Sequence, residues 1–498
     1  MNTYEKIFSK SVSLWTIQPA TQNAIRNRLG WLDAPEFSRQ SLESLENFKS
    51  KVLKADFKQI VLIGMGGSSL APEVFNRFAN HLGDDKTKLD LIVLDGTCPD
   101  QIETLRKQID LPTSLFIVAS KSGGTIETRF LFDYFFAEIA EISSNPGSQF
   151  VAITDSGSAL EKVAQKEIFF ALFINPSDIG GRYSALSYFG LVPAVLLGWD
   201  IEKLLDRADQ AIDDNKTGSG LGVQLGEWLT KDYLKPIDIL LFRYESPELE
   251  AFFMWIEQLV AESLGKSGEG VFLAKLSSQG ELKSDNSKCL KLDFNIDGPD
   301  NFDFSQSNNA TVCIRDPYDI AAHFFHWEMA TAIAAVHIGV NPFDEPNVAE
   351  AKQKTSQLLS RPEEIELPET IASLPEFFLT LSASEYLAIL VYAEDSLSNR
   401  QEVLRIQKAI EKHVDMPVTV NFGPRYLHSV GQLHKGGKQH GAFLVILDLP
   451  ELTIQIPGQT YGFEKLFCAQ AIGDFQILRE KGLPTEFITI DKLADIDI

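Results

Sequence analysis

Ser120-Lys121-Ser122-Gly123-Gly124-Thr125 gathers three hydroxyls, one ammonium and two glycines within six residues. The string follows the apolar run Leu115–Ala119 and precedes a helix-compatible stretch that starts at Ile126. A strand running into such a loop and then a helix turns hydroxyls, backbone N–H groups and the positive end of a helix dipole toward one anion. The chemistry this suits is capture of a small molecule's phosphate. The Gly-x-x-x-x-Gly-Lys-Ser/Thr spacing of a nucleotide-binding P-loop is absent. A Gly/Ser turn that binds nothing is the plain alternative, and the neighbouring motifs weigh against it.

A second glycine loop, Gly64-Met65-Gly66-Gly67-Ser68-Ser69, follows the apolar run Ile60–Ile63 and leads into a helix from Pro72. Ser69 stands where a dinucleotide fingerprint needs its last glycine, and no acidic residue is clearly placed after the next strand. Hydroxyls at Ser68 and Ser69 suit a sugar phosphate better than a pyrophosphate pressed on bare backbone. Loops at the carboxyl ends of strands in an open α/β sheet line one crevice, so both loops are expected to face one ligand. Gly180-Gly181-Arg182-Tyr183-Ser184 lets a guanidinium approach a ligand closely, although taken alone an arginine paired structurally with an acid is the favoured reading.

Glu257 to Lys266 reads as helix. Phe252, Ile256 and Leu259 recur on a buried face, and Gln258 and Glu262 share another, with Gly265 as the stop. A carboxylate in a last turn opposes the helix dipole, which slightly disfavours a purely structural Glu262. Further on, Gly339 to Pro346 is a turn-rich run before a helix carrying Lys352, and Gly423 to Gln432 places His428 in a loop. His323 and His326 lie among Phe324, Phe325 and Trp327 and read as buried structural residues, with no carboxylate spacing for a metal.

The elements that must position these groups alternate short β-rich runs with longer amphipathic stretches, the signature of parallel α/β sheets. Strands are expected at Ile60–Ile63, Leu91–Leu94, Leu115–Ala119, Phe150–Thr154 and Ala171–Ile174. Their continuous hydrophobicity implies helices on both faces. Ile237–Phe242, Lys291–Phe294, Ala310–Ile314, Tyr386–Tyr392 and Ala442–Leu447 are expected in a second sheet. The domains expected are a helical arm over 1–44, a phosphate-binding α/β domain over 45–212 and a second α/β domain over 223–498, with a linker at Asp213–Gly222 and a surface excursion at Arg361–Glu376.

The 498 residues carry a formal net charge of −24, which argues against nucleic acid or an anionic membrane as partner. The first ten residues lack an apolar signal core and no run reaches membrane-spanning length, so a cytoplasmic protein is expected. Cys98, Cys289, Cys313 and Cys468 show neither metal nor disulfide spacing.

Taken together, Gly-Met-Gly-Gly-Ser (64–68), Ser-Lys-Ser-Gly-Gly-Thr (120–125), Gly-Gly-Arg-Tyr-Ser (180–184), Glu-Ser-Leu-Gly-Lys (262–266) and Asn-Pro-Phe-Asp (341–344) resemble the motifs of the glucose-6-phosphate isomerase family, in the family's order. The resemblance runs from about residue 45 to 498. The 423–437 region looks most like the isomerase half of transaldolase–isomerase fusions; the start at Met1 implies a free-standing version. The resemblance implies two sugar-isomerase-type doubly wound domains with helical arms, a homodimer, and no metal or organic cofactor.

The resemblance further implies that Gly67, Ser68, Ser120, Lys121, Ser122 and Thr125 hold the substrate phosphate and that Gln258 contacts the sugar. By the same likeness Glu262 is the base, Arg182 faces the reacting carbons and Lys352 is the family's lysine. The family's ring-opening histidine has no counterpart between Glu262 and His323. His428, in Leu-His-Ser-Val-Gly-Gln, resembles it in a rearranged order, and Glu345 stands where the family carries glutamine. The implied reaction interconverts glucose 6-phosphate and fructose 6-phosphate in glycolysis and gluconeogenesis. An acid opens the ring, and one carboxylate then moves a proton between C2 and C1 through a cis-enediol. An isomerase that also accepts mannose 6-phosphate and a non-catalytic sugar-phosphate sensor share the phosphate loops. The sensor has no need of Glu262, Arg182 and Lys352 together.

Overall fold

Thirteen strands form three all-parallel sheets in the computed structural model, which describes residues 1–83, 89–231, 239–276, 289–296, 308–371 and 373–495. The first sheet runs β2-β1-β3-β4-β5, from β1 (Gln59–Gly64), β2 (Asp90–Leu94), β3 (Ser114–Ala119), β4 (Phe150–Asp155) and β5 (Ala171–Asn175). The second runs β7-β6-β8-β9, from β6 (Ile239–Arg243), β7 (Phe272–Lys275), β8 (Cys289–Asn295) and β9 (Asn309–Cys313). The third runs β11-β10-β12-β13, from β10 (Tyr386–Tyr392), β11 (Val418–Phe422), β12 (Gly441–Leu447) and β13 (Thr485–Thr489).

The parallel α/β class thus agrees with the hydrophobic pattern. Every residue of β3, β10 and β12 is buried, as strands covered on both faces must be. The strands expected in one second sheet are instead divided between two. The cause lies in strands the pattern did not mark: β7 and β11 pair with β6 and β10 respectively and become facing edges with no ladder between them. Residues 237 and 238 lie outside the described residues.

All three sheets share one order, with the second strand beside the first and the third on its other side. That reversal opens a crevice at the carboxyl ends of β1 and β3, and the two glycine loops leave from those ends. The stretch expected as a linker is the end of the Ile201–Lys216 helix and a turn into the Leu221–Trp228 helix. Asn215 within it is fully buried, donating to the Ala211 carbonyl and pairing with His326 Nδ1 at 2.9 Å.

The Asp319–Ile338 helix explains why no exposed linker forms there. It is buried all round, and the helices on either side of the turn both pack along it. His323 and His326 sit in this helix as buried residues, as expected. The N-terminal helices also close on this core: Trp31 lies between Tyr183 and Phe325, and Trp15 Nε1 donates to the Ala332 carbonyl at 3.0 Å. The arm is therefore part of the wall behind the 180–184 loop.

Candidate functional site

The two glycine loops fold as their chemistry requires. Gly66 takes φ +56, a left-handed conformation that favours glycine, and the chain makes a 3-10 turn through Ser68. Gly67 passes so close to the next loop that a Cβ there would lie 2.1 Å from the Gly181 carbonyl oxygen. Contact between the 64–69 and 180–184 loops thus needs glycine at 67. In the 120–125 loop Gly123 takes φ +65, its N–H donates to Ser120 Oγ at 3.1 Å, and Gly124 N–H donates to Ser122 Oγ at 3.1 Å. Ser120 Oγ and Thr125 Oγ1 stand 3.5 Å apart at the start of the Ile126–Ala140 helix. The Lys121 ammonium is turned to Asp155 and, at 2.9 Å, to the Ser177 carbonyl.

The Pro247–Leu264 helix is capped by Ser246, whose side chain accepts from Leu249 N–H, and its last three turns are buried. Gly265 is its C-cap, and a Cβ there would lie 2.5 Å from Leu433 Cα, so the close approach of that segment requires glycine. Glu262, 7% exposed, faces Arg182 NH1 at 3.3 Å and Gln258 Nε2 at 3.4 Å. Burial pushes the Glu262 carboxyl up to about 7; Arg182 opposes this and Glu345 adds to it. Gln258 Nε2 also donates to the His428 carbonyl at 2.7 Å, which ties the helix to the 423–432 loop.

Arg182 is fully engaged. Its Nε donates to Ser263 Oγ at 2.9 Å, NH1 to Glu262 and to Glu345 at 3.0 Å, and NH2 to the Pro342 and Asp344 carbonyls at 3.0 and 2.8 Å. Lys266 clasps the same turn through the Asn341 carbonyl at 2.8 Å and Asp344 Oδ1 at 2.9 Å, and burial lowers its ammonium to about 8. The Asn-Pro-Phe-Asp turn is thereby fixed against the helix that carries Glu262.

His428 Nε2 lies 3.0 Å from Glu127 Oε1, and Glu127 is two residues past Thr125. The carboxylate is an acceptor, so the Nε2 nitrogen carries the proton and Nδ1 is the ring atom left for other chemistry. Burial would raise the Glu127 carboxyl, but it is held below the usual range by the His428 charge and bond, its own backbone N–H and the Lys352 charge. Lys352 itself is exposed on the Val348–Leu359 helix.

A chain of contacts therefore joins Arg182, Glu262, Gln258, His428 and Glu127, ending two residues from the 120–125 loop. Gly67, Ser68, Ser120, Ser122 and Thr125 belong to the loops that border it. Lys121 reaches Asp155 first, and Lys352 acts at a distance. Glu127 and Gln470, which donates to Glu127 Oε1 at 2.8 Å, escaped sequence reasoning. A glutamate in a helix's first turn is ordinary dipole pairing, and a lone glutamine in an apolar helix carries no pattern. Among the described residues no His, Cys, Asp and Glu cluster could hold a metal ion, and no helix is long and apolar enough to cross a membrane.

Parallel α/β sheets with two glycine loops at one switch point, beside a buried carboxylate and arginine, define the class of the protein: a parallel α/β fold with one candidate ligand crevice. Residues 39–269 match the phosphoglucose isomerase family, and similarity to glucose-6-phosphate isomerases extends over most of the chain. It is 33% identical to the glucose-6-phosphate isomerase of a Cyanothece species over 260 residues, 47% of this chain and 48% of that one. Similarity to the enzyme of Prochlorococcus marinus covers 70% of this chain and 72% of that one at 29% identity, and to that of Mycoplasmopsis pulmonis 67% and 90% at 26%. The chain thus spans about half the length of the Cyanothece relative.

Among solved structures, a glucose-6-phosphate isomerase from Chlamydia trachomatis shares the fold with a TM-score of 0.57, 18% identity, and coverage of 73% of this chain and 87% of that one. A hypothetical protein from Thermus thermophilus shares it with a TM-score of 0.59, 22% identity, and coverage of 72% and 94%.

Proposed function

We propose that this protein interconverts glucose 6-phosphate and fructose 6-phosphate through a cis-enediol, the aldose–ketose step of glycolysis and gluconeogenesis. The observation that carries the reading is the Glu262–Gln258–His428–Glu127 chain ending beside the 120–125 loop. A carboxyl near 7 is split between its two protonation states at neutral pH, so Glu262 can lift a proton from C2 and return it to C1. The full positive charge of Arg182, buried beside it, stabilises negative charge developing on the enediol oxygens.

Hydroxyls of Ser68, Ser120, Ser122 and Thr125, with the helix N-terminus, bind the phosphate and hold C1 and C2 against the base. Gln258 contacts the sugar. Glu127 orients the His428 ring, and His428 with Lys352 supplies the proton that opens the pyranose. The family likeness also implies pairing with a second copy of the chain, which sedimentation of the purified protein measures.

The test is an assay of glucose 6-phosphate and mannose 6-phosphate side by side, with solvent deuterium incorporation at C2 of the glucose 6-phosphate pool. Wild type should exchange, and Glu262→Gln should bind fructose 6-phosphate yet lose about 10²–10⁴-fold in kcat and the exchange with it. Wild-type exchange in Glu262→Gln would refute the assignment, and comparable turnover of mannose 6-phosphate would establish the broader specificity. Sugar-phosphate binding with no isomerisation by the wild type would make the protein a sensor.

A further inference from the structure

We propose that Gln470 is a positioning residue for the Glu127–His428 pair, with Thr97 setting the direction in which its amide faces. The inference rests on the isomerase reading only for what the pair does, not for how it is held.

Three nearly inaccessible side chains form a line: Thr97 is 0%, Gln470 2% and Glu127 4% exposed. Thr97 Oγ1 donates to Gln470 Oε1 at 2.7 Å, and Gln470 Nε2 donates to Glu127 Oε1 at 2.8 Å. The same Oε1 accepts from His428 Nε2 at 3.0 Å. An ionised carboxylate can only accept, so the amide must present its NH2 to Glu127, and the Thr97 hydroxyl holds the amide oxygen the other way. A reversed amide would set oxygen against oxygen in a dry site. The direction of each bond follows from the residue types.

Gln470 lies on the Phe463–Glu480 helix, and one turn further along that helix Asp474 holds the other half of the pair. Asp474 Oδ2 accepts from Tyr426 Oη at 2.6 Å, and Oδ1 lies 2.5 Å from the buried Lys435 ammonium. Tyr426 is two residues from His428 in the same short turn, Arg425–His428. Residues i and i+4 share a helix face. One face thus fixes the carboxylate through Gln470 and the imidazole's loop through Asp474, and so sets the distance between them. The charges of His428 and Lys352 reach Glu127 and favour its ionised form, and the Glu127 charge in turn helps keep the buried Tyr392 phenol neutral.

A hydrogen bond to an ionised group is worth ~1.5–3 kcal/mol, and a pH unit corresponds to 1.36 kcal/mol. Removing the Gln470 donor should therefore raise the Glu127 midpoint by about one to two pH units. The midpoint is read from the carbon-13 shift of the Glu127 carboxyl in substrate-free protein, assigned by its disappearance in Glu127→Gln. Gln470→Met should raise it by that amount, and Thr97→Val, which frees the amide, should raise it by less.

A merely structural glutamine would lower stability and leave the midpoint in place, and that result overturns the proposal. If Gln470→Met does not fold, Gln470→Leu takes the same reading: it also removes the donor without adding a titratable group, and an unmoved midpoint there overturns the proposal equally. A separate arm follows anomerisation of glucose 6-phosphate in a Glu262→Gln background, which needs ring opening but no C2–C1 transfer. There Gln470→Met should move the acid limb upward with the Glu127 midpoint. A wild-type protein that neither anomerises nor isomerises the sugar phosphate would refute the isomerase reading. The carboxyl titration would still decide the role of Gln470.

Discussion

Glu345 stands beside Glu262, the proposed base, and replacing it by glutamine should make Glu262 a stronger acid. Glu262 Oε2 and Glu345 Oε2 lie 3.3 and 3.0 Å from one nitrogen, Arg182 NH1, so the two oxygens are no more than about 6 Å apart. Two like charges at ~6 Å repel by ~0.7 kcal/mol in bulk water and ~3 kcal/mol at an effective dielectric of ~20. These correspond to about half a pH unit and about two. The Glu345 side chain is 51% exposed, which selects the lower part of that range, about half to one unit.

The sign follows from the chemistry. Glu262 must be ionised to act, so kcat/KM falls as pH drops through its midpoint, near 7 in the free protein. Glu345→Gln removes a neighbouring negative charge and leaves Arg182 NH1 more fully to Glu262, and both changes favour the carboxylate. The acid limb of kcat/KM for fructose 6-phosphate should move down by about half to one unit, with the plateau no lower than wild type. Glu345→Asp, which keeps the charge, should stay nearer wild type. An acid limb unmoved or raised in Glu345→Gln would refute the electrostatic account of Glu262.

Ser120→Ala with Thr125→Ala should raise KM for fructose 6-phosphate far more than it shifts the urea midpoint, because in the proposed site these hydroxyls hold the phosphate; an unchanged KM removes them from the phosphate site. His428→Ala should slow turnover of cyclic glucose 6-phosphate strongly and largely spare an open-chain erythrose-type phosphate. If His323, His326 or His434 shows that split instead, the assignment moves to it. Gly67→Ala should cost about 1–3 kcal/mol in denaturant unfolding together with most activity, since its Cβ would meet the Gly181 carbonyl at 2.1 Å; wild-type behaviour would show that the two loops need not touch. Burial pushes the Glu257 carboxyl up from 4.5 to about 8. The folded state then holds a proton that the unfolded chain releases, so stability should fall as pH rises between those values, and Glu257→Gln should flatten that decline.

The first sheet was legible because β1 to β5 each carry an unbroken apolar run of three or more residues and are separated by helix-length stretches. Burial on both faces leaves that mark in any parallel sheet. The division of the second half was not legible, since β7, β11 and β13 are only four or five residues long and their pairing depends on partners distant in the chain. The turn at 217–220 looked like a linker because its residues are polar and small. Only the Asp319–Ile338 helix, a hundred residues away, buries the Asn215 that precedes it.

For the site, local chemistry carried the loops. Glycines, hydroxyls and a following helix are a short-range statement, and 64–69 and 120–125 could be read without knowing the fold. Glu262 and Gln258 were visible as one face of one helix. Tertiary structure alone decided that His428, which comes after Lys352 in the chain, reaches a glutamate in the first turn of the 126–140 helix. It alone decided that Arg182 divides one nitrogen between two carboxylates, and that Gln470, 343 residues from Glu127, donates to it. Residue type and local spacing announce a glycine- and hydroxyl-rich loop before a helix, whereas the His428–Glu127 pair is set by a distance between segments that the sequence leaves far apart.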